Sequence, residues 1–113
     1  MQKRLNIKEV APNALKAMVG LEMYLSKASI SETAKDLIKI RASQINGCAF
    51  CINMHTTDAR KNGETEQRIY LLNAWRETEL YTEEERTVLA MTEEITLIAK
   101  GGLSDETYEK ALA

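Results

Sequence analysis

Proline occurs once in 113 residues and glycine five times, which excludes collagen-like, low-complexity and loop-dominated chains. Phe and Trp occur once each, few of the aromatics that strands favour, while Ala, Leu, Glu, Lys and Met are abundant. The fold class this implies is all-α, and the length suits one domain over residues 1–113. No stretch approaches the roughly 18 uninterrupted apolar residues of a membrane span. Met1 to Asn6 also runs into polar residues where a signal peptide carries its apolar core, so a cytoplasmic location is expected. Neither sign of charge dominates. Fifteen Lys+Arg against seventeen Asp+Glu leave a net charge of −2, without the basic excess that nucleic acid or an anionic membrane surface demands. Neither is expected as a partner.

Two cysteines and one histidine complete the scarce residues. Both cysteines fall in Cys48-Ala49-Phe50-Cys51, a loop too short to restrain the unfolded chain as a cross-link. In a reducing compartment, thiols this close point to redox chemistry or metal binding rather than to a structural staple.

What the sequence has in plenty is helical periodicity. Pro12 opens a helix with Leu15, Met18, Leu21 or Glu22, and Leu25 on one face, ending near Ala28. Ser29 or Ser31 caps the next, with Glu32 completing a capping box from Ser29, and Ala34, Leu37, Ile38 and Ile45 line it until Asn46-Gly47. The segment from Cys48 to Asn62 forms another, with both cysteines in its first turn, Phe50, Met54 and Ala59 packing, and Gly63 as its stop. A fourth spans about Thr65 to Arg76, with Ile69, Leu72 and Trp75 for the core. Thr82 to Glu85 is a capping box for a fifth, striped by Val88, Met91, Ile95 and Ile98 as far as Gly101-Gly102. Leu103, Ser104 and Tyr108 have the spacing of a hydrophobic staple opening a last helix, cut short at Ala113. Charge runs such as Glu83 to Arg86 read as solvated helix faces. The Met residues read as core filling or as a subunit interface, so oligomers are expected.

On a helix turning 100° per residue, Cys48, Cys51 and His55 stand at i, i+3 and i+7 and share one narrow face. A thiol reacts as its thiolate, which is favoured by the free amide N–H groups of a helix start and by an imidazole one turn away. The helix start acts most on Cys48 and His55 most on Cys51, which leaves open which sulfur attacks. A sulfenic acid on either condenses with the other to a disulfide and so escapes overoxidation. The attacking thiol must lose a proton and a departing hydroxide or alkoxide must gain one. That task suits His55, oriented by Asp58 on its own helix or by Asp36 across the Asn46-Gly47 turn. A zinc site would need four ligands, and with no other Cys or His a carboxylate or a second subunit would have to complete it.

The run Ser43-Gln44-Ile45-Asn46-Gly47-Cys48-Ala49-Phe50-Cys51, followed by His55, Asp58, Ala59 and Arg60, resembles the core motif of the AhpD-like alkylhydroperoxidases, within the carboxymuconolactone decarboxylase superfamily. Ala74-Trp75-Arg76-Glu77 and Glu85-Arg86 are similar to a second block of that family, so the resemblance covers roughly residues 12 to 100. It implies one AhpD-like domain of about six helices, with Cys-x-x-Cys at the start of a central helix, assembled as a homotrimer or homohexamer. It implies a thiol-dependent peroxidase with no metal, haem or flavin cofactor, taking hydroperoxides as substrates and a thiol or dithiol as reductant. Position by position, Cys51 is then the peroxidatic thiol, Cys48 its resolving partner, and His55 with Asp36 the proton relay.

Two positions depart from the family pattern. Asp36 stands where well-known members carry Glu, and a water could bridge the missing methylene. Phe50 stands where they carry His, so one relay member is missing, turnover is expected to be slower, and Phe50 is expected to shield the sulfur or pack. The family pattern also implies further helix beyond Ala113. Two rival readings are a metal-binding or redox-sensing module built on Cys48, Cys51 and His55, and a decarboxylase-like protein without peroxidase activity, whose kind generally lacks the cysteine pair.

Overall fold

The computed structural model describes residues 3–113, so the first two residues of the Met1 to Asn6 stretch lie outside the described residues. As the composition predicts, the chain is all-α, with no strand among the described residues. Its helices are α1 Ile7–Val10, α2 Pro12–Ser26, α3 Glu32–Asn46, α4 Ala49–Lys61, α5 Glu66–Tyr70, α6 Glu83–Thr96 and α7 Asp105–Leu112, with 3₁₀ segments at Leu72–Glu77 and Ile98–Lys100. Among the described residues no helix is long and apolar enough to cross a membrane. The chain divides into two compact units, Met1–Ile30 and Ser31–Ala113.

In the first unit the Asn6 side chain accepts the Lys8 N–H at 3.0 Å and caps α1. Pro12 opens α2 as expected. The stripe on α2 is not core, however. Met18, Leu21 and Leu25 are 63%, 53% and 48% exposed, because apolar spacing marks the face a helix can bury without supplying a surface to bury it against.

In the second unit Leu37 and Ile40 of α3 form the core with Ala59 of α4, Leu89 of α6, Leu72, Trp75 and Tyr81. Helix α3 packs on both α4 and α6. Ser31 caps it, its Oγ accepting the Ala34 N–H at 3.1 Å. The cap is therefore not Ser29, and the capping box with Glu32 does not form. Gly47, at φ +66°, ends α3 in the left-handed region and turns the chain into α4.

The helix expected over Thr65 to Arg76 is instead two pieces, α5 and a 3₁₀ segment kinked at Ala74 (φ −120°, ψ 29°). The buried Leu72 and Trp75 stand three residues apart, the period of a 3₁₀ turn. The carbonyls freed there find a tertiary donor, for the Arg86 guanidinium donates to Trp75, Thr78 and Arg76 O at 3.1, 2.9 and 3.3 Å. Helix α6 has the expected capping box between Thr82 and Glu85. Its buried residues are Leu89 and Thr92, whereas Ile95 and Ile98 of the predicted stripe are 51% and 64% exposed. Ser104 caps α7 as expected.

Glu85 and Arg86 are also not the solvated face they were expected to be. Glu85 pairs with Arg68 at 3.0 Å, and Arg68 pairs with Glu64 at 2.7 Å and lies over the Tyr81 ring. A second cluster centres on Glu93, which accepts from Arg41 and the Trp75 indole at 2.9 Å each and from Arg76. It ties α3, the 3₁₀ segment and α6 together.

Candidate active site

The turn at Gly47 delivers Cys48 in extended backbone, φ −92° and ψ 98°, as the N-cap of α4. Cys48 thus stands just before the first turn instead of within it. Its Sγ takes the role that a serine or aspartate oxygen usually plays, accepting the Cys51 N–H at 3.2 Å. The two sulfurs are joined as a disulfide, with Cα atoms 5.3 Å apart. Both cysteines are half-buried.

The inward side of α4 runs through Ile52, His55, Thr56 and the buried Ala59, all on one helical face. Phe50 and Met54 fall on the opposite side and are 75% and 41% exposed. Phe50 therefore neither packs nor is enclosed, contrary to the expectation from its type. A side chain at that register cannot reach the core without turning the helix.

His55 lies one turn beyond Cys51 and opens onto a cavity of about 220 Å³. Glu32, Asp36 and Lys39 line it from α3, and Asp58, Lys61 and Asn62 from α4 and its C-cap. Both carboxylates considered as orienting partners, Asp36 and Asp58, thus share one cavity with the imidazole. The His55 ring makes no hydrogen bond to another described residue. Asp36 is 5% exposed and its Oδ2 accepts the Asn62 Nδ2 at 3.0 Å, the partner that a buried carboxylate requires.

Neither sulfur lines that cavity; the disulfide and His55 are linked through one turn of α4. Sequence reasoning missed Asn62, read only as the end of a helix. No local signal marks it, because its partner is 26 residues away and meets it only through the packing of α3 on α4. Among the described residues no group of three or more His, Cys, Asp or Glu is placed to hold a metal ion.

Residues 12–94 match the carboxymuconolactone decarboxylase family. The uncharacterized protein YdfG of Bacillus subtilis (strain 168) is 52% identical over 110 residues, covering 97% of this chain and 75% of that one. The crystal structure of ATU0492 from Agrobacterium tumefaciens, a protein of unknown function provisionally ascribed to antioxidant defence as AhpD, matches with a TM-score of 0.91 and 40% identity. That likeness covers 98% of this chain and 76% of the other. On the extent of the sequence match and the agreement of the fold, the chain belongs to the carboxymuconolactone decarboxylase family.

Proposed function

We propose that the protein is a thiol-dependent peroxidase that reduces hydroperoxides through a Cys48/Cys51 dithiol–disulfide cycle. The observation that carries the reading is the disulfide at the start of α4 with His55 one turn beyond it, in a cavity shared with Asp36. The Cys51 thiolate attacks the terminal oxygen of the hydroperoxide, breaking the O–O bond. Cys51 becomes a sulfenic acid and the alkoxide leaves, taking a proton that His55 supplies through a bridging water, since neither sulfur lines the cavity onto which the imidazole opens. The Cys48 thiol then attacks the sulfenic sulfur, expelling water and forming the disulfide. A dithiol reductant restores both thiols. Asp36, held by Asn62, and Asp58 orient the imidazole and balance its charge when it is protonated.

Thiols supply all the electrons, so the cycle has no step for a metal, haem or flavin. The same reading makes the enzyme cytoplasmic and a homotrimer or homohexamer, for which the exposed apolar residues of α2 offer a surface. The test is peroxide consumption by wild type and by Cys51→Ser in the presence of a dithiol. The variant should be inactive, and reduced wild type given one equivalent of peroxide should lose the mass of two hydrogens. An unchanged rate in Cys51→Ser, or no mass change in wild type, refutes the proposal.

A further inference from the structure

Which sulfur an incoming thiol attacks is a separate matter from which sulfur meets peroxide. When a thiolate cleaves the Cys48–Cys51 bond, one cysteine departs as an anion, and exchange is faster through the sulfur whose negative charge is better met. The Sγ of Cys48 already accepts the Cys51 N–H at 3.2 Å, where the positive end of the α4 dipole lies. The donor that meets the bonded sulfur is therefore already aimed at the departing thiolate.

Cys51 Sγ has no such donor among the described residues. The group nearest to it along the helix, His55, hydrogen-bonds to neither sulfur and opens onto a cavity that neither sulfur lines. An independent feature favours approach at Cys51. Phe50 and Met54, one residue before it and three after, are both exposed on α4, and helical register puts both on the solvent side of Cys51, an apolar flank along which the carbon stem of a thiol can approach.

We infer that the reductant thiolate attacks Cys51 Sγ and expels Cys48, so that the mixed disulfide opening the reductive half of the cycle is carried by Cys51. The new S–S bond joins the reductant to Cys51, and the electron pair of the broken bond leaves on Cys48. A second thiolate of the dithiol then attacks the reductant's own bonded sulfur, closing the reductant to a disulfide and releasing Cys51 as a thiolate. Two electrons pass from the dithiol to the protein, and one proton returns to each cysteine that is protonated at rest. Cys51 is the outward-working sulfur in both halves of the cycle and Cys48 the internal one. The place of this step in a cycle rests on the peroxidase reading, while the direction of attack is measured without it.

The oxidised full chain is mixed with N-acetylcysteine and quenched rapidly with concentrated iodoacetamide, which caps the released cysteine. Trypsin cleavage after Arg41 and Arg60 leaves both cysteines in one peptide, and fragment ions between them place each group. Peptide carrying N-acetylcysteine on Cys51 and the carbamidomethyl group on Cys48 should exceed the reverse pattern by about tenfold. An even or reversed distribution overturns the inference, as does the absence of an adduct on either sulfur. A protein that gives the Cys51 adduct yet consumes no peroxide keeps this direction of exchange and loses the peroxidase reading. One that consumes peroxide and gives the Cys48 adduct does the opposite.

Discussion

The Asn62 side chain donates to Asp36 Oδ2 across 3.0 Å, fastening the C-cap of α4 to a nearly buried carboxylate of α3. A carboxylate accepts at both oxygens, so this bond fixes Asp36 at the cavity it shares with His55 while using only one of them. Asp36→Asn keeps the shape and removes the charge that balances a protonated imidazole. Peroxide turnover should fall by about 10- to 100-fold, with the helical circular-dichroism signal unchanged, while Asp36→Glu retains most activity. Equal losses in the two variants would show that the size of the side chain, not its charge, matters at this position.

Phe50 lies on the face of α4 that looks away from the core and is 75% exposed. Its replacement by His should shift unfolding stability in urea by no more than about 0.5 kcal/mol, the usual range for surface positions. A loss of 2 kcal/mol or so, of the kind that follows truncation of a packed aromatic, would place the ring against other side chains.

Gly47 is the hinge that aims Cys48 at the start of α4. Its φ is +66°, and a Cβ there would meet nothing within 4 Å. Gly47→Ala therefore tests backbone conformation alone, without steric collision. It should destabilise the protein by about 1–2 kcal/mol in urea, the cost of holding an L-residue in the left-handed region. Gly47→Asn, which tolerates that region better, should lose less. Equal stability of the alanine variant and wild type would mean that the turn adopts another conformation.

How much of this was legible in the sequence depends on how local each cause is. Thr82 and Ser104 announce their caps because the donor and acceptor lie three residues apart. The cysteine pair and His55 are equally legible, since helical register alone relates them. The break after Tyr70 was not, because the carbonyls of the 3₁₀ segment are satisfied by Arg86, whose bond to Trp75 spans 11 residues. For the same reason Glu85 and Arg86 read as surface when they are tertiary anchors. Phe50 failed differently: its type says buried, and only the register fixed by Ala59 on the opposite face says otherwise.

Glu93 couples this anchoring to pH. Burial by itself would push its carboxyl up, but hydrogen bonds from Arg76, Trp75 and Arg41 outweigh that effect and hold it below the ordinary carboxylate range. A group lowered in the folded state contributes stability that is fully present above its unfolded value, about 4.3 for Glu, and that is lost as pH falls through the folded value. Wild type should therefore lose this contribution as the pH drops below about 4, when the proton that binds Glu93 removes the partner of Arg41 and Arg76. Glu93→Gln lacks the charge at every pH. At pH 7 it should be less stable than wild type by about 2 kcal/mol, the scale of a hydrogen bond to a charged group. Toward pH 3 the gap should shrink, because acid brings wild type to the same uncharged state. Urea unfolding of both proteins at the two pH values measures the difference directly. A gap that stays constant would show that Glu93 holds the helices by shape alone and that its charge adds nothing.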